Sequence, residues 1–245
     1  MAVRARPAIL TVIVAFLVAL PACGGDEGTD APNLFDPARA DEIAHAAILT
    51  VDDLPGSGWK VESEDKFDDE SAPPADTNAC RAIAARREAI RKKTDPSRSG
   101  RAHREMAADR GDIFPVSVEV QVNIFDSAAP VSESLAAAKG YLGGADFKEC
   151  FQDLLEANLS EGVELASRTV TNSSAVPGYG AAVAIDLAIR AKGTEEVLRL
   201  ETYIWRSANA GVTVTITGTP ESVTRELTAA VLAKVEERLR AQETK

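Results

Sequence analysis

Residues that commonly carry out chemistry are sparse in this chain of 245 residues. Its two histidines are His45, in a helical pattern, and His103, which we place in a basic loop. Two histidines at these positions are not expected to form a Ser-His-Asp triad or a histidine-rich metal site. Ser63 and Lys66 match the SxxK pattern of penicillin-recognising enzymes, but the accompanying SDN and KTG elements are absent. The sequence predicts a non-enzymatic protein without a cofactor.

Acidic residues are concentrated in the run ESEDKFDDE, between residues 62 and 70. Carboxylates at close spacing can bind calcium, but this run lacks the central glycine and terminal glutamate of an EF-hand loop. A solvated acidic loop is the favoured interpretation, and we predict no metal site.

The N-terminus has the pattern of a secretory signal. Arg4 and Arg6 precede an uncharged run from Ala8 to Leu20, which is shorter than the roughly 20 residues that a membrane-spanning helix needs. The residues Leu20-Pro21-Ala22-Cys23 that follow resemble the bacterial lipobox. That resemblance implies a signal peptide over residues 1–22 and a mature chain that begins with a lipidated Cys23.

The other two cysteines, Cys80 and Cys150, form an even pair once Cys23 carries lipid. A disulfide is the default expectation in an exported and therefore oxidising setting. Each cysteine lies on the apolar side of a predicted amphipathic helix, so we expect the bridge to join those two helices.

Charge limits the partners of the chain. Removing Arg4 and Arg6 from the 27 basic residues leaves 25 against 38 acidic residues, a net charge of −13. Such a chain is not expected to bind nucleic acid. Residues 81–110 are locally basic. We interpret this segment as a solvated helix face followed by a mobile loop, with contact to anionic headgroups or wall polymers as the alternative.

The helix signals are spread along the chain. After a flexible tether over residues 23–37, Asp36 is the predicted N-cap of the first helix and Pro37 its first residue. Further helices are predicted from near Asn78, near residues 131–141 and from Asp146. The last helix is predicted to begin with Thr219 as its N-cap.

The strand signals favour antiparallel pairing. The segment Val116–Ile124 alternates strictly between apolar and polar residues. Further candidates lie at residues 59–63, 163–171, 179–191, 195–207 and 211–218, several of them joined by turn-like connections. Because long crossover helices between successive strands are missing, we predict a single α+β domain over residues 38–245. It has a twisted antiparallel sheet of about five to six strands flanked by helices.

One side of this sheet is predicted to carry a ligand cleft. If the apolar sides of its strands pack on helices, a set of polar and aromatic side chains remains opposite them. This set comprises Gln121, Asn123, Arg199, Tyr203, Trp205, Thr213 and Thr215. Two alternatives stay open, namely a solvent-facing sheet surface without a ligand and burial of Trp205 under the C-terminal helix.

The order of these elements resembles a family. A lipobox, a tether, a first helix and then AAILTVDDLPGSGWKV are similar to actinobacterial lipoproteins of the LpqN type and to the extracellular sensor domain of PknH-type kinases. The resemblance implies a twisted antiparallel sheet flanked by helices, with a cleft proposed to bind ligands. The kinase sensor domains carry two disulfides, whereas this chain can form one.

Two functions follow as hypotheses. The first is a non-catalytic domain, anchored by lipid to the extracytoplasmic face of the cell membrane, that binds an envelope lipid or glycan in a cleft. The alternative is a structural or adaptor lipoprotein that binds another envelope protein. They differ in whether Tyr203 and Trp205 line a concave pocket.

Overall fold

The computed structural model describes residues 34–66, 77–111, 114–142, 144–158, 163–172, 180–191 and 194–243. The predicted signal peptide, Cys23 and most of the predicted tether lie outside these ranges. Within the described ranges, no helix is both long and apolar enough to cross a membrane.

The centre of the fold is an antiparallel sheet of seven strands in the order β1-β2-β3-β7-β6-β5-β4. The strands are β1 Trp59–Glu64, β2 Arg98–Ala108, β3 Val116–Phe125, β4 Val163–Asn172, β5 Ala181–Ala191, β6 Thr194–Ser207 and β7 Ala210–Gly218. The helices are α1 Ala40–Ala47, α2 Asn78–Thr94, α3 Ala128–Tyr141, α4 Ala145–Asn158 and α5 Arg225–Glu243. The predicted α+β class with an antiparallel sheet is confirmed.

Helices cover both faces of this sheet, so the domain has two hydrophobic cores. On the first face, which we call the α5 face, α1 and α5 pack against the apolar sides of β3 and β7. On the second, the α3 face, α2, α3 and α4 form the other core with β5 and β6. The central strands are therefore buried on both sides, as in a three-layer arrangement.

A disulfide joins Cys80 on α2 to Cys150 on α4, with their Cα atoms 4.6 Å apart. Both cysteines are buried in the core of the α3 face, next to Ile83 and Phe151. The predicted link between the two amphipathic helices is thus present in the structure.

Strand β2 is the main departure from the predicted elements, because its residues were interpreted as a mobile basic loop. The side of β2 that faces α1 carries small residues, Met106 and the partly buried Arg104, so its apolar signal is weak. Gly100 is required where α1 begins, since a Cβ there would lie 2.4 Å from the Ala40 carbonyl carbon. The close approach of a helix, rather than strand propensity, decides the conformation of this segment.

The last helix begins later than predicted. Thr219 and Pro220 lie in a turn, and α5 begins at Arg225. Thr224 acts as its N-cap, because its Oγ1 accepts a hydrogen bond of 3.1 Å from the Leu227 N–H. The helix buries one apolar side, which includes Leu227, Val231 and Val235.

Candidate functional site

The strands β2, β3, β7 and β6 carry a continuous polar surface on the α3 face, which we call the polar strip. It is unusual because most of its side chains are almost completely buried, whereas buried positions are usually apolar. The buried members are His103, Ser117, Glu119, Asn123, Thr202, Thr213, Thr215 and Thr217, and the half-buried members are Glu105 and Gln121.

The strand register brings these side chains together. Glu119 pairs with Thr215 and Gln121 with Thr213 between β3 and β7, and Thr202 pairs with Thr215 between β6 and β7. Directly opposed residues on one face have Cβ atoms about 5 Å apart. Four of the seven predicted ligand residues, Gln121, Asn123, Thr213 and Thr215, therefore lie side by side in the strip.

A buried acid–histidine pair lies at the centre of the strip. The His103 Nε2 and Glu119 Oε1 atoms are 2.7 Å apart, and both side chains are less than a tenth exposed. The sequence does not predict this pair, because its pattern places His103 in a loop. The small or apolar residues Gly100, Ala102, Met106 and Ala108 recur at even positions, interrupted by Arg104, and this weak alternation was the signal that could have revealed the strand.

Glu105 lies next to this pair, opposite Glu119 in the β2–β3 register. Burial raises the pKa of its carboxyl group, and the nearby Glu62 raises it further, while His103 and Ser63 lower it. The strip thus combines hydroxyl and amide groups with acidic side chains in a poorly solvated place.

Tyr203 and Trp205 do not belong to this strip, so the prediction of an aromatic wall is wrong. In the β6–β7 register Tyr203 lies opposite Val214 and Trp205 opposite Val212, which places both on the α5 face. They are 1% and 4% exposed in the core beneath α5. The Tyr203 hydroxyl donates to Glu201 Oε2 at 3.0 Å. The alternation along β6 does separate its two sides, but both sides are buried in this fold.

Arg199, the seventh predicted ligand residue, also lies on the α5 face. Its guanidinium forms two hydrogen bonds of 2.8 and 2.9 Å with the Asp186 carboxylate on β5. These hydrogen bonds raise the pKa of Arg199 above its already high value. The pair joins two neighbouring strands and lies on the opposite side of the sheet from the polar strip.

Two buried hydroxyl groups on the α3 face lack hydrogen-bond partners among the described residues. They are the Thr217 Oγ1 at the end of the strip and the Ser134 Oγ on α3, both on residues with no exposed surface. A buried hydroxyl without a partner costs roughly 1–3 kcal/mol. The strip therefore has unused hydrogen-bonding capacity. Within the same described ranges, no group of three or more His, Cys, Asp or Glu is placed to hold a metal ion.

A concavity of about 420 Å³ lies on the other side of the sheet, near the start of α5. Arg110 lines it, resting 5.5 Å from the centre of the Trp59 ring and donating to the Pro55 carbonyl at 3.3 Å. Its acidic side chains, Glu221 and Glu226, come from the start of α5. None of the predicted ligand residues lines this concavity.

The fold and the strip define a class of α+β domain with a seven-stranded antiparallel sheet and a buried polar surface. No family model matches the chain, and no curated protein matches it. Among solved structures, the extracellular domain of PknH from Mycobacterium tuberculosis is similar, with 11% identity and a TM-score of 0.48 over 87% of this chain and 100% of that chain. At this identity and TM-score the likeness carries no argument about function.

Proposed function

We propose that this chain is a lipid-anchored extracytoplasmic domain that binds a polar envelope molecule, such as a glycan or a lipid headgroup, without catalysing a reaction. The observation that carries the proposal is the polar strip, in which buried amide, hydroxyl and carboxylate groups converge beside hydroxyls without a described partner. Binding sites typically combine such placed polar groups with apolar surroundings. Tyr203 and Trp205 are core residues and line no described pocket, so the criterion that would have favoured ligand binding over the adaptor alternative is not met. The proposal therefore rests on the hydrogen-bonding groups of the strip alone.

The proposed location of the protein is supported by its cysteines. The lipobox-like residues before Cys23 favour a lipid anchor, and the Cys80–Cys150 bridge is of the kind that persists in oxidising compartments. The two features are independent of each other, and both favour the extracytoplasmic side of the membrane.

The binding proposal is tested by replacing two strip residues with apolar side chains of similar volume. We expect Thr213→Val with Asn123→Leu to weaken ligand affinity about five- to 150-fold, because one hydrogen bond lost at each residue costs about 0.5–1.5 kcal/mol, and therefore to lower the amount of ligand that co-purifies. The measurement is mass spectrometry of small molecules extracted from protein purified from its own host.

Thr169→Val is the matched control, because Thr169 lies on the edge strand β4 and is exposed. It should keep the wild-type amount of ligand. Equal ligand recovery from the double variant and the control would contradict the proposal. A specific co-purifying protein with no small molecule would instead support the adaptor alternative.

The anchor is tested by Cys23→Ser. We expect this variant to lose lipid labelling and to leave the membrane fraction, because the thiol that would carry the lipid is gone and two or more acyl chains are what hold such proteins stably. Thr29→Ala, in the predicted tether, is the control and should remain in the membrane fraction. Retention of an unprocessed Cys23→Ser protein in that fraction would show that another segment anchors it.

A further inference from the structure

The two histidines of the chain are joined through one aspartate. Asp65 follows directly after β1, and its Oδ2 lies 2.9 Å from the Nε2 of His45 on α1. Its Oδ1 accepts a hydrogen bond of 3.2 Å from the His103 N–H on β2. The Asp65 N–H donates to the His103 carbonyl at 2.9 Å. Asp65 thereby connects a surface histidine to the strand that carries the buried His103–Glu119 pair.

Asp65 adopts a conformation that non-glycine residues rarely use. Its φ is +49°, in the left-handed region, which asparagine and aspartate tolerate better than other residues. A conformation of this kind persists where surrounding contacts hold it. The hydrogen bonds to His45 and His103 are those contacts, so losing one of them should loosen this residue.

The imidazole of His45 faces acceptors on both sides. Its Nδ1 lies 2.7 Å from the Asp41 carbonyl oxygen, which can only accept a hydrogen bond, and its Nε2 faces the Asp65 carboxylate. A neutral imidazole carries one N–H and can satisfy one of the two, whereas imidazolium donates to both. The geometry therefore selects the protonated ring.

Charged groups of both signs surround His45, and the two nearest acceptors favour the protonated ring. The hydrogen bond that His45 donates to Asp65 raises the pKa of His45, and the hydrogen bond to the Asp41 carbonyl raises it further. From β2, the Arg101 N–H donates a hydrogen bond to the Asp41 carboxylate, and the His103 side chain lies close enough to Asp65 to interact with it electrostatically. On α5, Arg238 contacts the Ala46 carbonyl and the Asp53 carboxylate.

The segment held by Asp65 borders the polar strip. Ser63 and Glu64 of β1 pair with Glu105 and Arg104 of β2, so the end of β1 lies beside Glu105. The ion pair between Glu64 and Arg104 also holds this end, so loss of the His45 contact should loosen β1 without detaching it.

We propose that the His45–Asp65 contact is a pH-sensitive latch that holds the end of β1 against β2 and thereby controls access to the polar strip. Protonated His45 keeps the strip edge closed, and deprotonation of His45 loosens it. The inference rests on the proposed function for its consequence, namely pH-dependent ligand access, but the latch itself is observable without any ligand.

The test is hydrogen exchange of the Asp65 and His103 backbone amides, followed by NMR on the mature domain between pH 5.5 and 8.5. After correction for the intrinsic exchange rate, we expect protection of both amides to fall about two- to fivefold as the pH rises, the size typical of an exposed ion pair. In His45→Gln, whose side chain does not titrate, protection should be independent of pH.

The amide of Thr202 on the central strand β6 serves as the internal control and should not change in either protein. Wild-type protection that is independent of pH would overturn the latch, as would pH dependence that persists in His45→Gln. Neither result would contradict the proposal that the strip binds a ligand. Conversely, a strip without ligand would leave a confirmed latch in place, so the two proposals fail separately.

Discussion

Trp205→Ala is expected to lower the free energy of unfolding by about 3–5 kcal/mol, as is typical for truncating a buried tryptophan. The indole is 4% exposed and lies in the core between the sheet and α5, opposite Val212. Removing it deletes apolar contacts and leaves a cavity that the β-sheet cannot close. Urea denaturation of the mature domain measures the effect.

Val61→Ala is the matched control for this substitution. Val61 lies on the edge strand β1 and is 47% exposed, so its truncation should change stability by less than about 1 kcal/mol. Trp205→Phe should recover part of the lost stability. A Trp205→Ala protein that is as stable as the control but no longer binds its ligand would indicate that Trp205 is a binding residue and not a core residue.

Removing the Cys80–Cys150 disulfide is expected to cost about 4 kcal/mol. The bridge spans 70 residues, and closing a loop of that length removes this much conformational entropy from the unfolded chain on the loop-entropy model. Alanine at both positions avoids placing a hydroxyl in the core. We expect Cys80→Ala with Cys150→Ala to shift the urea midpoint strongly downward.

A reductant provides the control for the double variant. It should destabilise the wild-type domain to a similar extent and leave Cys80→Ala with Cys150→Ala unchanged. Wild-type protein that alkylates at both cysteines without prior reduction would contradict the bridge.

Much of the architecture could be predicted from local sequence signals. The strict alternation of Val116–Ile124 identified β3, and the helical spacing of apolar residues around Cys80 and Cys150 placed both cysteines inward. In both cases one face of an element is clearly apolar, so its burial follows directly from the pattern. The disulfide between two helices then required no further geometric information.

Other features depended on contacts between distant segments. Strand β2 is buried through Gly100, Ala102 and Met106, whose small or flexible side chains give little apolar signal until α1 packs on them. The buried His103–Glu119 pair was missed with it, because its two residues come together only through the β2–β3 register.

The error at Tyr203 and Trp205 has a different cause. Alternation along β6 separates two sides but does not say whether the second side meets solvent or another helix. In this fold α5 covers it, so Leu198 and Tyr203 are both buried on opposite faces of one strand. Gln121 and Asn123 were grouped correctly with Thr213 and Thr215 because those strands have one apolar and one polar side.

The polar strip is proposed to hold a ligand. A crystal structure of the mature domain purified from its own host tests this most directly. We predict electron density for a polar molecule hydrogen-bonded to Asn123, Thr213 and the neighbouring strip residues on the α3 face. Density for such a molecule in the concavity beside Arg110, with ordered water alone along the strip, would contradict it.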